Sequence, residues 1–279
     1  MTSKSVDVLA ICNALVDIVV EAKEEDIEEL ELTKGIMHLV ESDRQSHVLK
    51  HFAGHEKTVE LGGSAMNAIR ALALLGQNTY FTGMVAKDEF GEKIRARMGE
   101  LSINAHLSHS EEPTGSCVVL VTPDGERTMN THLGASRLYD DKHIPEDAIP
   151  KAKVFHFCGY QWDTEGQKDA INKAIRLAKD NGCLISFDVA DPFVVQAHAN
   201  DFKDIIENYA DIVFANEEEA KLLFNKTPEE TAEQIASAGA TAVVKLGAKG
   251  ALVRKGDQVV HVDPVKTEVI DTTAAGDMF

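Results

Sequence analysis

"CLISFDVADPFVVQAHANDFKDIIENYADIVFAN", residues 183–216, decides the class of this fold. Its two ends, 183–189 and 210–216, are short apolar runs rich in β-branched and aromatic residues, and between them 202–208 carries a helical pattern. Strand, helix and strand at that spacing make a crossover unit. The alternation continues outward: strand-like runs at 6–20, 153–159 and 242–247 interleave with helical patterns at 64–75, 165–180, 217–224 and 229–238. The expectation is an α/β fold with a mostly parallel central sheet flanked by helices. Such sheets bind ligands beyond the carboxyl ends of their strands. Two regions break the alternation, residues 14–40 and 103–133, the second with the turn signal "TPDGER" at 122–127. They predict a small β-sheet attached to the main one, in the position of a lid.

Composition narrows the function. The 279 residues are 44% hydrophobic, enough for a full-sized core. The N-terminal "MTSKSVDVLA" has no apolar run of signal-peptide or membrane-spanning length, so a cytoplasmic protein with no membrane partner is expected. Cys12, Cys117, Cys158 and Cys183 are scattered, each in an apolar stretch, and read as buried thiols in a reducing compartment. A net charge of −18 would repel a polyanion and argues against nucleic acid. Much of it is local: residues 21–31 hold seven acids and one lysine, a solvated helix face. From 245 to 279 five basic residues balance five acidic ones, the segment least hostile to an anion. His47 and His51 stand i, i+4 but lack a third ligand at sensible spacing, so no metal site of the protein's own is expected.

Three stretches carry chemistry. In "LGGSAMNAIRALALLG", residues 61–76, Gly62 and Gly63 permit close backbone approach, Ser64 suits a helix N-terminus, and alanines let the helix pack tightly. Asn67, one turn in and facing the glycines, has little structural purpose unless it hydrogen-bonds something held there. The Gly-x-Gly-x-x-Gly and Gly-x-x-x-x-Gly-Lys phosphate fingerprints are absent. "DTTAAGDMF", residues 271–279, offers another way to hold an anion: small residues at 274–276 leave consecutive N–H groups exposed where a helix starts. Asp277 then sits at the mouth of the cradle, placed to take a proton from a hydroxyl nucleophile, or simply to favour the helix start. Tyr160 and Trp162 follow a strand end, as a platform for a flat ligand or as ordinary packing.

"GGSAMN" and "DTTAAGD", in that order and at that separation, resemble the two signatures of the ribokinase/PfkB superfamily of sugar and nucleoside kinases, and the resemblance covers the whole chain. "NALVDIVV", "EEPTGSCVVLVTPDGERTMNTHLGAS" and "DVADPFVVQ" are similar to the adenosine kinases and their bacterial relatives more than to ribokinase or fructokinase. The resemblance implies ATP and magnesium, often a monovalent cation such as potassium, and a monomer or homodimer. It makes Asp277 the catalytic base, with the amides of Ala275, Gly276 and Asp277 as anion hole. Asn13 and Asp17 would hold substrate hydroxyls beside Gly62, Gly63, Ser64 and Asn67. "NEEE", 216–219, resembles the family's Asn-x-x-Glu element for magnesium and phosphate, although Asn216 and Glu219 also spell a capping box. "KLGAKG", 245–250, resembles the nucleotide loop, with Lys245, Gly247 and Gly250 toward the cofactor. Arg127 would reach the phosphates from the lid. The expected reaction is transfer of the ATP γ-phosphate to a primary hydroxyl of a nucleoside, with a ribose- or fructose-type sugar, or a non-catalytic sensor, as alternatives. Because the family continues past "AAGD" with further helices, residues 1–279 read as a single ribokinase-like domain truncated at its C-terminus, with little activity as it stands.

Overall fold

The computed structural model of the chain describes residues 4–266 and 274–279. In chain order its elements are β1 (Val6–Ile11), β2 (Leu15–Glu21), α1 (Glu24–Glu29), β3 (Met37–Leu39), α2 (Ser42–His51), β4 (Thr58–Gly62), α3 (Ser64–Leu74), β5 (Thr79–Ala86), α4 (Glu89–Glu100), β6 (Asn104–Ser110), β7 (Thr114–Val121) and β8 (Arg127–Gly134). There follow β9 (Ala152–Cys158), α5 (Glu165–Asp180), β10 (Leu184–Asp188), α6 (Pro192–Asn208), β11 (Ile212–Asn216), α7 (Glu217–Phe224), α8 (Pro228–Ser237), β12 (Thr241–Lys245), β13 (Ala251–Lys255) and β14 (Gln258–Val262).

Among the described residues, nine strands form one sheet in the order β14-β13-β12-β11-β10-β9-β1-β5-β6. It is parallel from β6 to β12 and antiparallel only at the β13 and β14 edge. Five strands form a second sheet, β3-β8-β7-β2-β4. In the large sheet the chain runs from β1 outward to β5 on one side and to β9 on the other. The carboxyl ends of β1 and β9 therefore flank the point where strand order reverses, the place where open α/β sheets hold ligands.

The single run read at 6–20 is two strands in two sheets. After Ile11 the chain leaves the large sheet at Cys12 and Asn13, and the N–H of Ala14 finds Ser136 Oγ at 3.1 Å before β2 enters the small sheet. Residues 104–110, expected in the small sheet, pair instead with β5 as the edge of the large one. Their place in the small sheet is taken by β4, which pairs with β2. The helix read at 202–208 begins ten residues earlier: Asp191 caps it, accepting from the N–H of Phe193 at 2.8 Å, and Pro192 occupies the first turn, where its missing N–H costs nothing. It bends at His198, whose φ of −130° is not helical.

Packing follows the apolar pattern. Helix α5 buries Ala170, Ile171, Ala174, Ile175 and Ala178 on one face against the large sheet, in a core centred on Phe155, Phe157, Phe187 and Phe202. A second core gathers Met66 and Ile69 of α3, Ile94 of α4, Val16, Ile18, Val118 and Leu120 of the small sheet, and Ala10, Phe81 and Val85 of the large sheet. The two cores thus lie on opposite faces of the large sheet, the second of them shared with the small sheet, and a cleft opens between the two sheets. No helix among the described residues is long and apolar enough to cross a membrane.

Candidate active site

A cavity of about 500 Å³ occupies that cleft. Asn13, Asp17, Gly63, Ser64 and Asn67 line it together with Ala274, Ala275, Gly276 and Asp277. Residues from the first seventy and the last six of the chain meet there.

Each is set by its element. Asp17 is on β2, opposite Glu60 of β4, with Gly62 one turn of the pleat away. A Cβ on Gly62 would lie 2.1 Å from Asp17 Oδ1, so the glycine makes room for the carboxylate. Gly63 has φ of +101° and would carry a Cβ 2.5 Å from the Asn13 carbonyl oxygen, so no other residue can turn the chain into α3 at that spot. Asn67, buried on α3, donates from Nδ2 to Asp277 Oδ2 at 2.9 Å. The amide that sequence reasoning left without a structural purpose therefore holds the carboxylate of Asp277. Asn13 is fixed from behind: Gln167, fully buried on α5, donates from Nε2 to Asn13 Oδ1 at 2.9 Å and to the Ser136 carbonyl at 3.0 Å.

Electrostatics separate the two carboxylates. Burial first, and then the negative charge of Asp277, push Asp17 up to about 7, against the opposing pull of Arg70 and Arg127. Two acids facing one cavity with one of them near neutrality suits a site that handles both a hydroxyl proton and hydroxyl hydrogen bonds.

Around the anion cradle the structure differs in part from the expectation. Asp271, Thr272 and Thr273 lie outside the described residues. From Ala274, with φ of +59°, the chain makes a single turn in which the N–H groups of Asp277 and Met278 both donate to the Ala274 carbonyl at 3.0 Å. The Asp277 amide is thus spent inside the turn, so of the three amides expected to form a cradle it is already bonded within the chain.

The remaining predicted residues cluster beside the cavity, at the carboxyl ends of β10, β11 and β12. Lys245 Nζ bonds Asp188 Oδ2 at 3.0 Å and the Gly276 carbonyl at 3.3 Å, tying β12 to the cradle. Burial alone would lower this lysine, yet Asp188 and Glu219 hold it above its usual value. Asn216 and Glu219 do form the reciprocal capping box of α7. Glu219 is nevertheless unlike an ordinary cap, because burial and the neighbouring charge of Asp188 raise it to about 7. A phosphate-borne divalent cation beside Glu219 would favour its ionised form. No group of three or more His, Cys, Asp or Glu side chains among the described residues is placed to hold a metal by itself. Gly250 has a structural requirement of its own: with φ of +88° a Cβ there would lie 1.9 Å from the Val262 carbonyl, whereas Gly247, φ +57°, faces open space. His51 pairs with Asp26 at 2.8 Å on the far side of α2.

Several lining residues escaped the sequence reading. Phe193 stands 64% exposed at the start of α6 and lines the cavity together with Met37 and Leu39 of β3 and Val194, Ala197 and His198 of its own helix. Of the two aromatics proposed as a platform, Tyr160 lines the cavity, its hydroxyl 3.3 Å from Asp191 Oδ2. Trp162 does not: it is buried in the core, stacked on Phe157 and bonded through Nε1 to Asp201. Asp188 was signalled only as an acid at a central strand end, and Gln167 by nothing local.

Comparison with known proteins agrees with this geometry. The model of the pfkB family carbohydrate kinases matches residues 36–279. An uncharacterized sugar kinase of Archaeoglobus fulgidus is 29% identical over 210 residues, 75% of this chain and 82% of that one. Adenosine kinase 2 of Arabidopsis thaliana is 29% identical over 246 residues, 78% of this chain and 69% of that one. Among solved structures, adenosine kinase from Sinorhizobium meliloti superposes with a TM-score of 0.90 at 33% identity, over 98% of this chain and 84% of that one.

Proposed function

The chain belongs to the pfkB family of carbohydrate kinases, phosphotransferases with an alcohol as acceptor, and on that premise we propose that it moves the γ-phosphate of ATP to a primary hydroxyl of an adenosine-like nucleoside. The observation that carries the nucleoside reading is the mixed lining of the cavity. It holds polar side chains, Asp17, Asn13 and Asn67, and apolar ones, Phe193, Met37, Leu39 and Val194. A furanose with a flat base attached can meet both kinds of surface, whereas a bare sugar leaves the apolar one wet.

Each residue then has a task. Asp17 accepts hydrogen bonds from a vicinal diol, one hydroxyl to each oxygen. Asn13, its oxygen taken by Gln167, presents its amide nitrogen as donor. Asp277, oriented by Asn67, takes the proton of the attacking hydroxyl, a contribution of about 10²–10⁴-fold. The Ala275 and Gly276 amides stabilise charge on the moving phosphoryl group, on the order of 10²–10³-fold per donor. Lys245 is placed to exchange the Gly276 carbonyl for a phosphate oxygen. Asp188, Glu219 and Asn216 would meet the magnesium that accompanies ATP, and that ion supplies charge neutralisation at the phosphates.

The test is acceptor-dependent ATP consumption with adenosine, inosine, ribose and fructose. Adenosine should give a kcat/KM at least about tenfold above either sugar, a margin of ~1.4 kcal/mol in transition-state binding. Turnover with ribose or fructose and none with nucleosides would replace this reading by a sugar kinase. Binding without turnover for all four would leave a sensor.

A further inference from the structure

Two of the four buried cysteines meet at the floor of the cavity. Cys12 follows β1 and Cys158 ends β9, adjacent parallel strands whose pairing runs through Ile11 and Phe157. The next rung sets Cys12 opposite Cys158, and their sulfurs are 3.8 Å apart. Neighbouring strands lie ~4.8 Å apart, inside the ~4.4–6.8 Å Cα separation that a disulfide spans. Of this pair Cys12 lines the cavity and Cys158 lies behind it; Cys117 lines the cavity from the small sheet.

The surroundings of the two sulfurs differ from those of the other cysteines. A hydrogen bond from the Cys158 thiol lowers Cys12 below its ordinary value; burial and the charge of Asp277 oppose this, and backbone N–H groups of Ala65, in the first turn of α3, and of Asn13 add to it. A sulfur at a helix N-terminus, reached through a cavity and backed by a second thiol, is the setting in which cysteines react. Cys117 lies against Thr131 Oγ1 at 3.3 Å and is pushed up to about 12 by burial and by the charge of Asp17. Cys183 receives a hydrogen bond from Lys4 Nζ at 3.0 Å and donates to the Ile149 carbonyl at 3.3 Å.

We propose that Cys12 and Cys158 form a peroxide-sensitive pair at the acceptor site, Cys12 the sulfur attacked first and Cys158 the one that closes a disulfide upon it. The Cys12 thiolate attacks one oxygen of hydrogen peroxide, the O–O bond breaks, and the departing hydroxide takes a proton to become water. Cys12 is left as a sulfenic acid. The Cys158 sulfur then attacks the Cys12 sulfur, its thiol proton leaves with the hydroxyl as a second water, and the S–S bond forms. Two thiols lose two electrons together, and the peroxide gains both. Contraction from 3.8 Å to the ~2.05 Å of a disulfide pulls on Asn13, next to Cys12, and on Tyr160, two residues after Cys158. Both line the acceptor cavity, so oxidation weakens acceptor binding.

That last step rests on the acceptor site proposed above, whereas the thiol chemistry does not, and the two are read separately. The whole chain is treated with hydrogen peroxide, with and without adenosine, and followed by intact mass, by peptide mapping and by calorimetric titration with adenosine. The expected result is a mass lower by about 2 Da, a Cys12–Cys158 linkage, slower oxidation with adenosine bound, and adenosine affinity down by about tenfold until dithiothreitol restores it. Cys158→Ser should stop at a Cys12 sulfenic acid trapped by dimedone, and Cys12→Ser should form neither product. Oxidation at Cys117 or Cys183 with Cys12 and Cys158 still reduced would overturn the pair. A Cys12–Cys158 linkage that leaves adenosine affinity unchanged would overturn its control of the site. If the reduced protein binds no adenosine, the nucleoside reading falls, and the linkage still decides the thiol chemistry.

Discussion

At the residue scale the site is two carboxylates held apart by their surroundings. Asp277 has one oxygen fixed by Asn67 at 2.9 Å, and the proposed task of base predicts that Asp277→Asn lowers kcat by at least about 10²-fold while adenosine affinity stays within about threefold. Single-turnover kinetics with calorimetry checks both; a loss below tenfold removes Asp277 as the base. Asp17 makes a different prediction, because its ordinary value of 3.8 is raised to about 7 in the fold. Below 3.8 both folded and unfolded chains hold the proton; between 3.8 and about 7 only the folded chain does. The stability this contributes is present at low pH and drains away as pH rises through that window. Asp17→Asn should therefore match the parent at pH ~4 and exceed it by roughly 1–3 kcal/mol at pH ~8, measured by urea unfolding. Acceptor binding runs the opposite way: the ionised carboxylate is the better diol acceptor, so affinity should rise from pH ~6 to ~8 in the parent and be flat in Asp17→Asn. In Asp277→Asn that rise should move to lower pH, since the charge that helps hold Asp17 up is gone.

Individual elements explain which parts of this site were legible in the sequence. The diglycine stood out as a place of close backbone approach, and in the structure Gly62 on β4 leaves the space that the Asp17 side chain of β2 fills. Gly62→Ala should keep the fold but displace that carboxylate, weakening adenosine binding by about 1.5–3 kcal/mol, the worth of a charged hydrogen bond; unchanged affinity by calorimetry would mean that Asp17 does not hold the acceptor. What could not be read were partnerships across elements. The run 6–20 is apolar throughout, and only the capture of the Ala14 N–H by Ser136, 122 residues away, shows that the chain changes sheets inside it. Strand 104–110 reads as hairpin material because its neighbour in sequence is β7, yet its partner is β5. Helix α6 was cut short because "DPFVVQAHAN" lacks a clean period across the bend at His198, although Asp191 and Pro192 announce its start. Asp188 and Gln167 act through Lys245 and Asn13, contacts spanning 57 and 154 residues. No local pattern encodes such distances.

For the molecule as a whole, the decisive fact is that the cavity belongs to neither sheet. The large sheet supplies Cys12 and the cradle tethered through Lys245, and the small sheet supplies Asp17, Met37, Leu39, Cys117, Met129 and Thr131. The small sheet shares a core with β1 and β5 of the large one, and β3 and β8 contribute no buried residue to either core, so the motion of least cost is a local one at those two strands. A ligand that touches both walls is then a cross-link, and its binding energy appears as resistance to opening. Saturation at 100 times Kd adds ~2.7 kcal/mol to global stability, and the gain should be uneven. Strand β3, a three-residue edge strand with Met37 and Leu39 facing the cavity, and β8 beside it open locally without involving the large sheet. The cores of β9 and β10 exchange only through global unfolding. Hydrogen exchange followed by mass spectrometry should therefore show adenosine slowing β3, β8 and the 274–279 turn by about tenfold or more, with β9 and β10 slowed no further than the global gain requires. Equal slowing of all these segments would mean that the sheets open as one unit, and that the cleft is a fixed pocket in which acceptor binding closes nothing.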